Sequence, residues 1–216
     1  MELPVGQILC GDCLPILRAW PDGCVDLVVT DPPYGIEYIS NYYKYQNPHG
    51  EIEGDDKLAW GMDEWWRLTA DGGAVFSFHS HKEPPRDERI RNTIIWVKQN
   101  WTAGDLNGDF GNQYECIAFA PKDDFHLRGN RWSNVWQFDR VQPLHHPTEK
   151  PVNLIERIIE SATDEGGLVL DPYCGSGTTC LAAKRLGRRW IGIDISEKYC
   201  AIARDRLAAQ AEPMFK

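Results

Sequence analysis

Two acidic residues stand where a sequence can most readily hold a reacting group. In VDLVVTDPPYGIEY, residues 25 to 38, the apolar run Val25 to Thr30 ends on Asp31, and Pro32, Pro33 and Tyr34 follow at once. The prolines fix φ and restrict the residue before each of them, so the Asp31 carboxylate and the Pro32 carbonyl are held in place in advance. Two acceptors so placed suit the two hydrogens of an exocyclic amine. They pull its nitrogen towards tetrahedral geometry, aim its lone pair and oppose the charge that develops there. Tyr34 adds a flat face on which a base can stack. A base inside a duplex cannot reach such a pocket, so it must be flipped out. Alone, Asp-Pro-Pro-Tyr reads equally well as a rigid turn, because Asp and Pro are common turn residues.

The second stretch is LVLDPYCGSGTTCLAAKRLGRRWIGIDIS, residues 168 to 196. A strand ends on Asp171, the turn Cys174-Gly175-Ser176-Gly177-Thr178-Thr179 leads into a helix, and the next strand ends on Asp194. Glycines let a ligand approach the backbone at a helix N-terminus, and an acidic residue about twenty positions on hydrogen-bonds ribose hydroxyls. No Gly-Lys-[Ser/Thr] follows, which excludes a P-loop, and Cys180 stands where a dinucleotide fingerprint has its third glycine. Asp171 disfavours a pyrophosphate beside it and suits a cationic amine. S-adenosyl-L-methionine has a ribose, an adenine, an ammonium and a sulfonium but no phosphate, and it fits better than a dinucleotide. Its methyl group is already activated, so the reaction needs no metal and rests on positioning for in-line attack.

The elements that must hold these residues alternate. Strands are predicted at 7–10, 25–30, 74–78, 93–97, 116–120, 168–170 and 190–193. Helices are predicted at 13–20, 62–68, 151–162, 177–186 and 196–209, with Pro151 in a first turn and Ser196 as a cap. Asp71-Gly72-Gly73 reads as a turn, and residues 121 to 147 as irregular. Residues 35 to 60 are polar, Tyr- and Asn-rich and poorly periodic, long enough to suggest a functional loop. The alternation implies an α/β fold, a mostly parallel sheet with helices on both faces. A chain of 216 residues suits one such domain.

Composition limits the alternatives. No apolar run is long enough to span a membrane, and the start MELPVGQILCGD is not leader-like, so a cytoplasmic protein with reduced thiols is expected. Cys10 and Cys13 form a single C-x-x-C with no second pair, too few ligands for zinc, and no metal is expected. His79, His81, His145 and His146 read as loop or surface residues. The net charge of −9 counts against a nucleic-acid binder, but it is a global sum. Local basic clusters lie at 82–91, 128–131 and 184–189, each of them ordinary solvated surface if taken alone.

With TDPPYG followed far downstream by HPTEKP (146 to 151) and DPYCGSGTT (171 to 179), the chain resembles the DNA amino-methyltransferases over nearly its whole length. The catalytic motif precedes the cofactor motif, the circularly permuted order called the beta class. The resemblance implies a Rossmann-like S-adenosylmethionine-dependent methyltransferase fold in one domain. Residues 1–120 would be its catalytic half, 121–145 a short target-recognition segment and 146–216 its cofactor-binding half. It implies that Asp31, Pro32, Pro33 and Tyr34 are catalytic. Asp12, ending the strand before the catalytic one, would hold the cofactor's adenine amine. Thr148, Glu149 and Lys150 would border its methionine end, with Lys150 near the carboxylate. Asp171, Gly175, Gly177 and Thr178 would form the donor pocket, Asp31 would bind the cofactor as well as the amine, and Asp194 would take the ribose. Trp96 and Lys98, just past a strand, would flank the flipped base or a phosphate.

In the family that the chain resembles, Asp at the first catalytic position leans towards adenine N6 and Ser towards cytosine N4, so the resemblance implies adenine through Asp31, with cytosine N4 open as the alternative. An RNA base or a protein glutamine amide is a further substrate class, and a cofactor-binding regulator without catalysis is a different class of protein. The recognition segment is shorter than in many relatives. DNA contacts are therefore sought at 35–60, 82–91, 101–111 and 128–140, with a small footprint or a second subunit, as in a homodimer.

Overall fold

The structure is a computed structural model and describes residues 2–33, 61–82, 84–101, 110–142 and 148–210. Tyr34, the expected loop at 35–60 and the pair His145 and His146 lie outside the described residues. In chain order the elements are β1 (Gln7–Cys10), α1 (Cys13–Arg18), β2 (Val25–Thr30), α2 (Met62–Leu68), β3 (Thr69–His79), β4 (Asn92–Val97), β5 (Tyr114–Pro121), β6 (Val135–Gln137), α3 (Val152–Ala162), β7 (Leu168–Asp171), α4 (Thr178–Arg185), β8 (Arg189–Asp194) and α5 (Glu197–Ala209).

The eight strands form one sheet in the order β1-β8-β7-β2-β3-β5-β4-β6. Neighbours are parallel except around β5, which runs against both β3 and β4. The continuous apolar runs of β2 and β7 are explained by helices covering both faces of the sheet. On one face Leu154, Ile155, Ile158 and Ile159 of α3 and Ala182 and Ala183 of α4 pack on Leu27, Val29, Phe76 and Val169. Beside them Cys200, Ala203 and Leu207 of α5 pack on Ile8 and α4. On the other face Leu17 of α1 and Trp65 and Leu68 of α2 pack on Val25, Val28, Val75 and Leu170.

This connectivity creates a crevice. β7 leads through α4 to β8 on one side, while β2 leads through α2, on the opposite face, to β3 on the other side. The carboxyl ends of β2 and β7 are therefore neighbours whose chains diverge, the switch point at which open α/β sheets bind ligands. The two strands meet in parallel at Leu27↔Val169 and Val28↔Leu170. Below that pairing the Asp26 carboxylate extends the ladder by accepting the Leu168 amide at 2.7 Å.

Four expectations are corrected. Asp71-Gly72-Gly73 is no separate turn: it lies within β3, where the register with β2 slips from Val25↔Thr69 to Leu27↔Ala74. The slip absorbs the extra residues as a bulge, with Gly72 at φ 76°. Gly73 lets the bulge close, since a Cβ there would stand 2.5 Å from the Asp26 carbonyl. The stretch read as irregular contains β6, a three-residue edge strand on β4 that is too short to show a period. Pro151 is the N-cap of α3, not a residue of its first turn; Ser196 caps α5 as expected, without a side-chain bond. His79 is buried at the end of β3, paired with Cys116, instead of lying at the surface.

The Asp26 bond gives a test. Asp26→Ala leaves the buried start of β7 without its acceptor and is expected to lower stability by about 1–3 kcal/mol, read from the urea midpoint at unchanged slope. An unaltered midpoint would show that water replaces the carboxylate there.

Candidate active site at the carboxyl edge of the sheet

Asp31 follows β2 directly, partly exposed, with Pro32 buried behind it. Its Oδ2 forms an ion pair with Lys150 Nζ. Lys150 is buried, and its ammonium also lies 3.4 Å from Glu115 Oε2 and 5.0 Å from the centre of the Phe78 ring. Glu115 in turn holds Lys98 Nζ at 2.5 Å through Oε1, and Lys98 sits 5.1 Å over the Trp96 ring. Negative and positive groups thus alternate from Asp31 through Lys150 and Glu115 to Lys98. Burial alone would lower the pKa of Lys150, but Asp31 and Glu115 outweigh it and hold the ammonium above the usual lysine value. Burial would raise that of Glu115, but Lys150 and Lys98 outweigh it and hold the carboxylate below its usual value.

Asp171 ends β7, one strand over. It is buried, and burial is the main reason its pKa is pushed up to about 7. The Thr179 hydroxyl and the Tyr173 amide, which donates to Oδ1 at 3.1 Å, pull it down, and the charge of Asp31 adds to the rise. The glycine turn continues from there. Gly175 lies at φ 50° and Gly177, the N-cap of α4, at φ 82°. Gly177 is also where the turn meets α5, since a Cβ there would lie 2.9 Å from Ala203 Cβ. Thr178 opens α4 and is buried. Asp194, at the end of β8, accepts the Gly175 amide at 2.8 Å on one oxygen and the Ser196 amide at 2.9 Å on the other. It thereby ties the glycine turn to the entry of α5.

Asp12 stands beside Asp194, because Cys10 and Asp194 are register partners. It does not end the strand, which stops at Cys10; it caps α1, accepting the Leu14 amide at 3.0 Å, and is exposed. The structure brings Asp31, Lys150, Asp171, Gly175, Gly177, Thr178, Asp194 and Asp12 along one edge of the sheet. Trp96 is core: it is 1% exposed and its indole donates to the Phe138 carbonyl at 2.8 Å. Lys98 is committed to Glu115.

Two residues went unnoticed in the sequence. Glu115 is the second residue of a strand that runs against its neighbours, and only that reversal brings it to this edge. Arg206, on α5, donates to the Ser176 carbonyl at 2.7 Å and pairs with Glu149 at 2.7 Å, joining the glycine turn to the Thr148-Glu149-Lys150 segment. The helical spacing of α5 marks Arg206 only as a surface cation.

Of the basic clusters, Arg89 is occupied by Asp87 and Asp63, and Arg128 lies 3.4 Å from Asp164. Lys82, Arg86, Arg91, Arg131 and Arg140 are exposed. The thiol of Cys10 gathers with Cys200 and Glu197, their ligand atoms within 4.8 Å of one another, and Glu197 is also paired with Arg204.

Comparison with known proteins matches this geometry to relatives. The type II methyltransferase M2.DpnII of Streptococcus pneumoniae is 32% identical, over 87% of this chain and 84% of its own. M.HpaI of Haemophilus parainfluenzae, also a type II methyltransferase, is 28% identical over 94% of this chain and 74% of its own. Among solved structures, the M1.HpyAVI–SAM complex superposes with a TM-score of 0.68 at 25% identity, covering 93% of this chain and 98% of that one. PvuII DNA methyltransferase, described as cytosine-N4-specific, has the same fold with a TM-score of 0.70 at 18% identity, over 92% of this chain and 85% of its own. The family described as DNA methylase, the N6/N4 methyltransferases, matches residues 25–205. With the two motifs at the ends of neighbouring parallel strands and most of its length matched, the chain belongs to the N6/N4 DNA methylase family.

Proposed function

We propose that the protein transfers a methyl group from S-adenosyl-L-methionine to the exocyclic N6 amine of an adenine flipped out of duplex DNA, in the permuted, beta-class arrangement. The observation that carries this reading is the placement of Asp31 and Asp171 at the ends of adjacent parallel strands, on either side of the switch point. One carboxylate serves each substrate, a few ångströms of sheet apart. When bound, S-adenosyl-L-methionine supplies a methyl group on a sulfonium.

The residues fit that ligand. A buried carboxylate whose charge is disfavoured until a cation arrives, as at Asp171, suits an ammonium. Gly175, Gly177 and Thr178 form the wall of the donor pocket, Asp194 takes the ribose and Asp12 the adenine amine. On the acceptor side Asp31 and the Pro32 carbonyl take the two amine hydrogens, and Tyr34 stacks on the base. As the amine attacks in line, Asp31 opposes the charge that develops on nitrogen and takes up the proton it sheds. Lys150 holds the Asp31 carboxylate in place through its ion pair. Thr148 and Glu149 border the methionine end, with Arg206 behind them.

Asp at position 31 favours adenine over cytosine N4. The whole chain works as one domain, with residues 1–120 for catalysis, 121–145 for target recognition and 146–216 for the cofactor. A recognition segment that short favours action as a homodimer. The type II names of its relatives support a role as the modification enzyme of a restriction–modification system, in the cytoplasm. Among the described residues no helix is long and apolar enough to cross a membrane.

The deciding experiment incubates the protein with labelled S-adenosyl-L-methionine and mixed-sequence duplex DNA, digests to nucleosides and separates them. Label is expected in N6-methyladenine; label in N4-methylcytosine instead would replace adenine by cytosine. Asp31→Ala is expected to lower the rate at least about 100-fold, as for loss of a preorganised polar group, read at saturating cofactor.

Asp171 makes cofactor binding depend on pH. Its carboxyl is protonated in the empty site below about 7 and must ionise to meet an ammonium. Affinity for S-adenosyl-L-methionine, measured by calorimetry, is expected to be level above that pH. Below it, affinity should weaken about tenfold per pH unit. Asp171→Asn should bind weakly with no such slope; a slope that survives the substitution would assign it to another group.

A further inference from the structure

Glu115 is the second carboxylate on the Lys150 ammonium, beside Asp31. It is the second residue of β5, and because β5 runs against β3 and β4, the start of this strand lies at the edge where the parallel strands end. Its Oε2 has no access to solvent and faces Lys150 Nζ at 3.4 Å, while Oε1 holds Lys98 at 2.5 Å. The Phe78 and Trp96 rings wall the two ammonium groups at 5.0 and 5.1 Å. A lysine side chain has four rotatable bonds and, paired with one carboxylate alone, can swing with it. Lys150 is instead held by two carboxylates. The charge on Glu115 is costly to bury, and the two lysines offset that cost only while the row stays assembled.

We propose that Glu115 is a positioning residue for methyl transfer: it anchors Lys150, so that the Lys150 ammonium fixes the Asp31 carboxylate in its reactive orientation, with Lys98 closing the row. The proposal rests on the assignment of Asp31 to the reacting amine. It gives Lys98 a role inside the protein instead of at a DNA phosphate.

Three variants test it, each compared with the unaltered enzyme for kcat, KM for DNA, S-adenosyl-L-methionine affinity and thermal midpoint. Glu115→Gln keeps the shape and removes the charge. It is expected to lower kcat at least about tenfold, the scale of a small misplacement of a reacting group, with cofactor affinity and KM for DNA within about twofold. Lys98→Met lets Glu115 draw Lys150 away from Asp31. It is expected to lower kcat about threefold or more, with KM for DNA and its salt dependence unchanged. Should Glu115→Gln fail to fold, Lys98→Met decides alone.

Full kcat in folded Glu115→Gln would overturn the proposal. So would a raised KM and a shallower salt dependence in Lys98→Met at unchanged kcat, which would make Lys98 a phosphate contact. The third variant, Asp31→Asn, separates the two levels. If it stays active, the reading of Asp31 itself fails; if it is inactive while Glu115→Gln is fully active, only the role of Glu115 fails.

Discussion

Three carboxylates, Asp31, Asp171 and Asp194, end β2, β7 and β8, and like charges at one edge of a sheet repel. Each is held by a different device. Asp31 has a lysine, Asp194 has two backbone amides, and Asp171 relieves its burial by holding a proton up to about pH 7. The rest of the site follows from these three solutions. The lysine needs a further counterion, the amides need a glycine turn at positive φ, and the buried acid favours its protonated form.

Those solutions divide the site into a rigid part and a responsive part. The amides on Asp194 and the Arg206 links to Ser176 and Glu149 fasten the glycine turn to α5 and to the segment that carries Lys150. Donor and acceptor sides are thereby joined by charge-assisted bonds and not through the sheet alone. Asp171 is the responsive part, because burial holds its pKa up to about 7, so that its charge changes near neutral pH.

Much of this was legible in the sequence where chemistry and local geometry coincide. Strand ends marked by Asp31, Asp171 and Asp194, followed by proline or glycine, carry their own signal, and β2 and α2 lie at the positions their periodicity predicts. What escaped depends on distant pairing. β3 reads as a turn at Asp71 to Gly73 because only its partner β2 shows that the residues are a bulge within a strand. β6 is too short for a period and exists by lying on β4. Glu115 and Arg206 look like surface charges until the reversal of β5 and the packing of α5 bring them to the site. Trp96 failed as a base platform because an indole at that point of β4 faces the core.

The pairing of β2 with β7 also has a consequence for how the chain matures. The bond from Leu168 to Asp26 closes a span of 142 residues, so the catalytic strand acquires its second neighbour only after most of the chain is available. Until then β2 is an open edge of apolar sequence, the kind of surface that invites pairing with other chains, and closing so large a loop is slow. This edge of the sheet is therefore completed late, and a nascent or truncated chain lacking β7 has the Asp-Pro-Pro motif and Lys150 but not the crevice between β2 and β7.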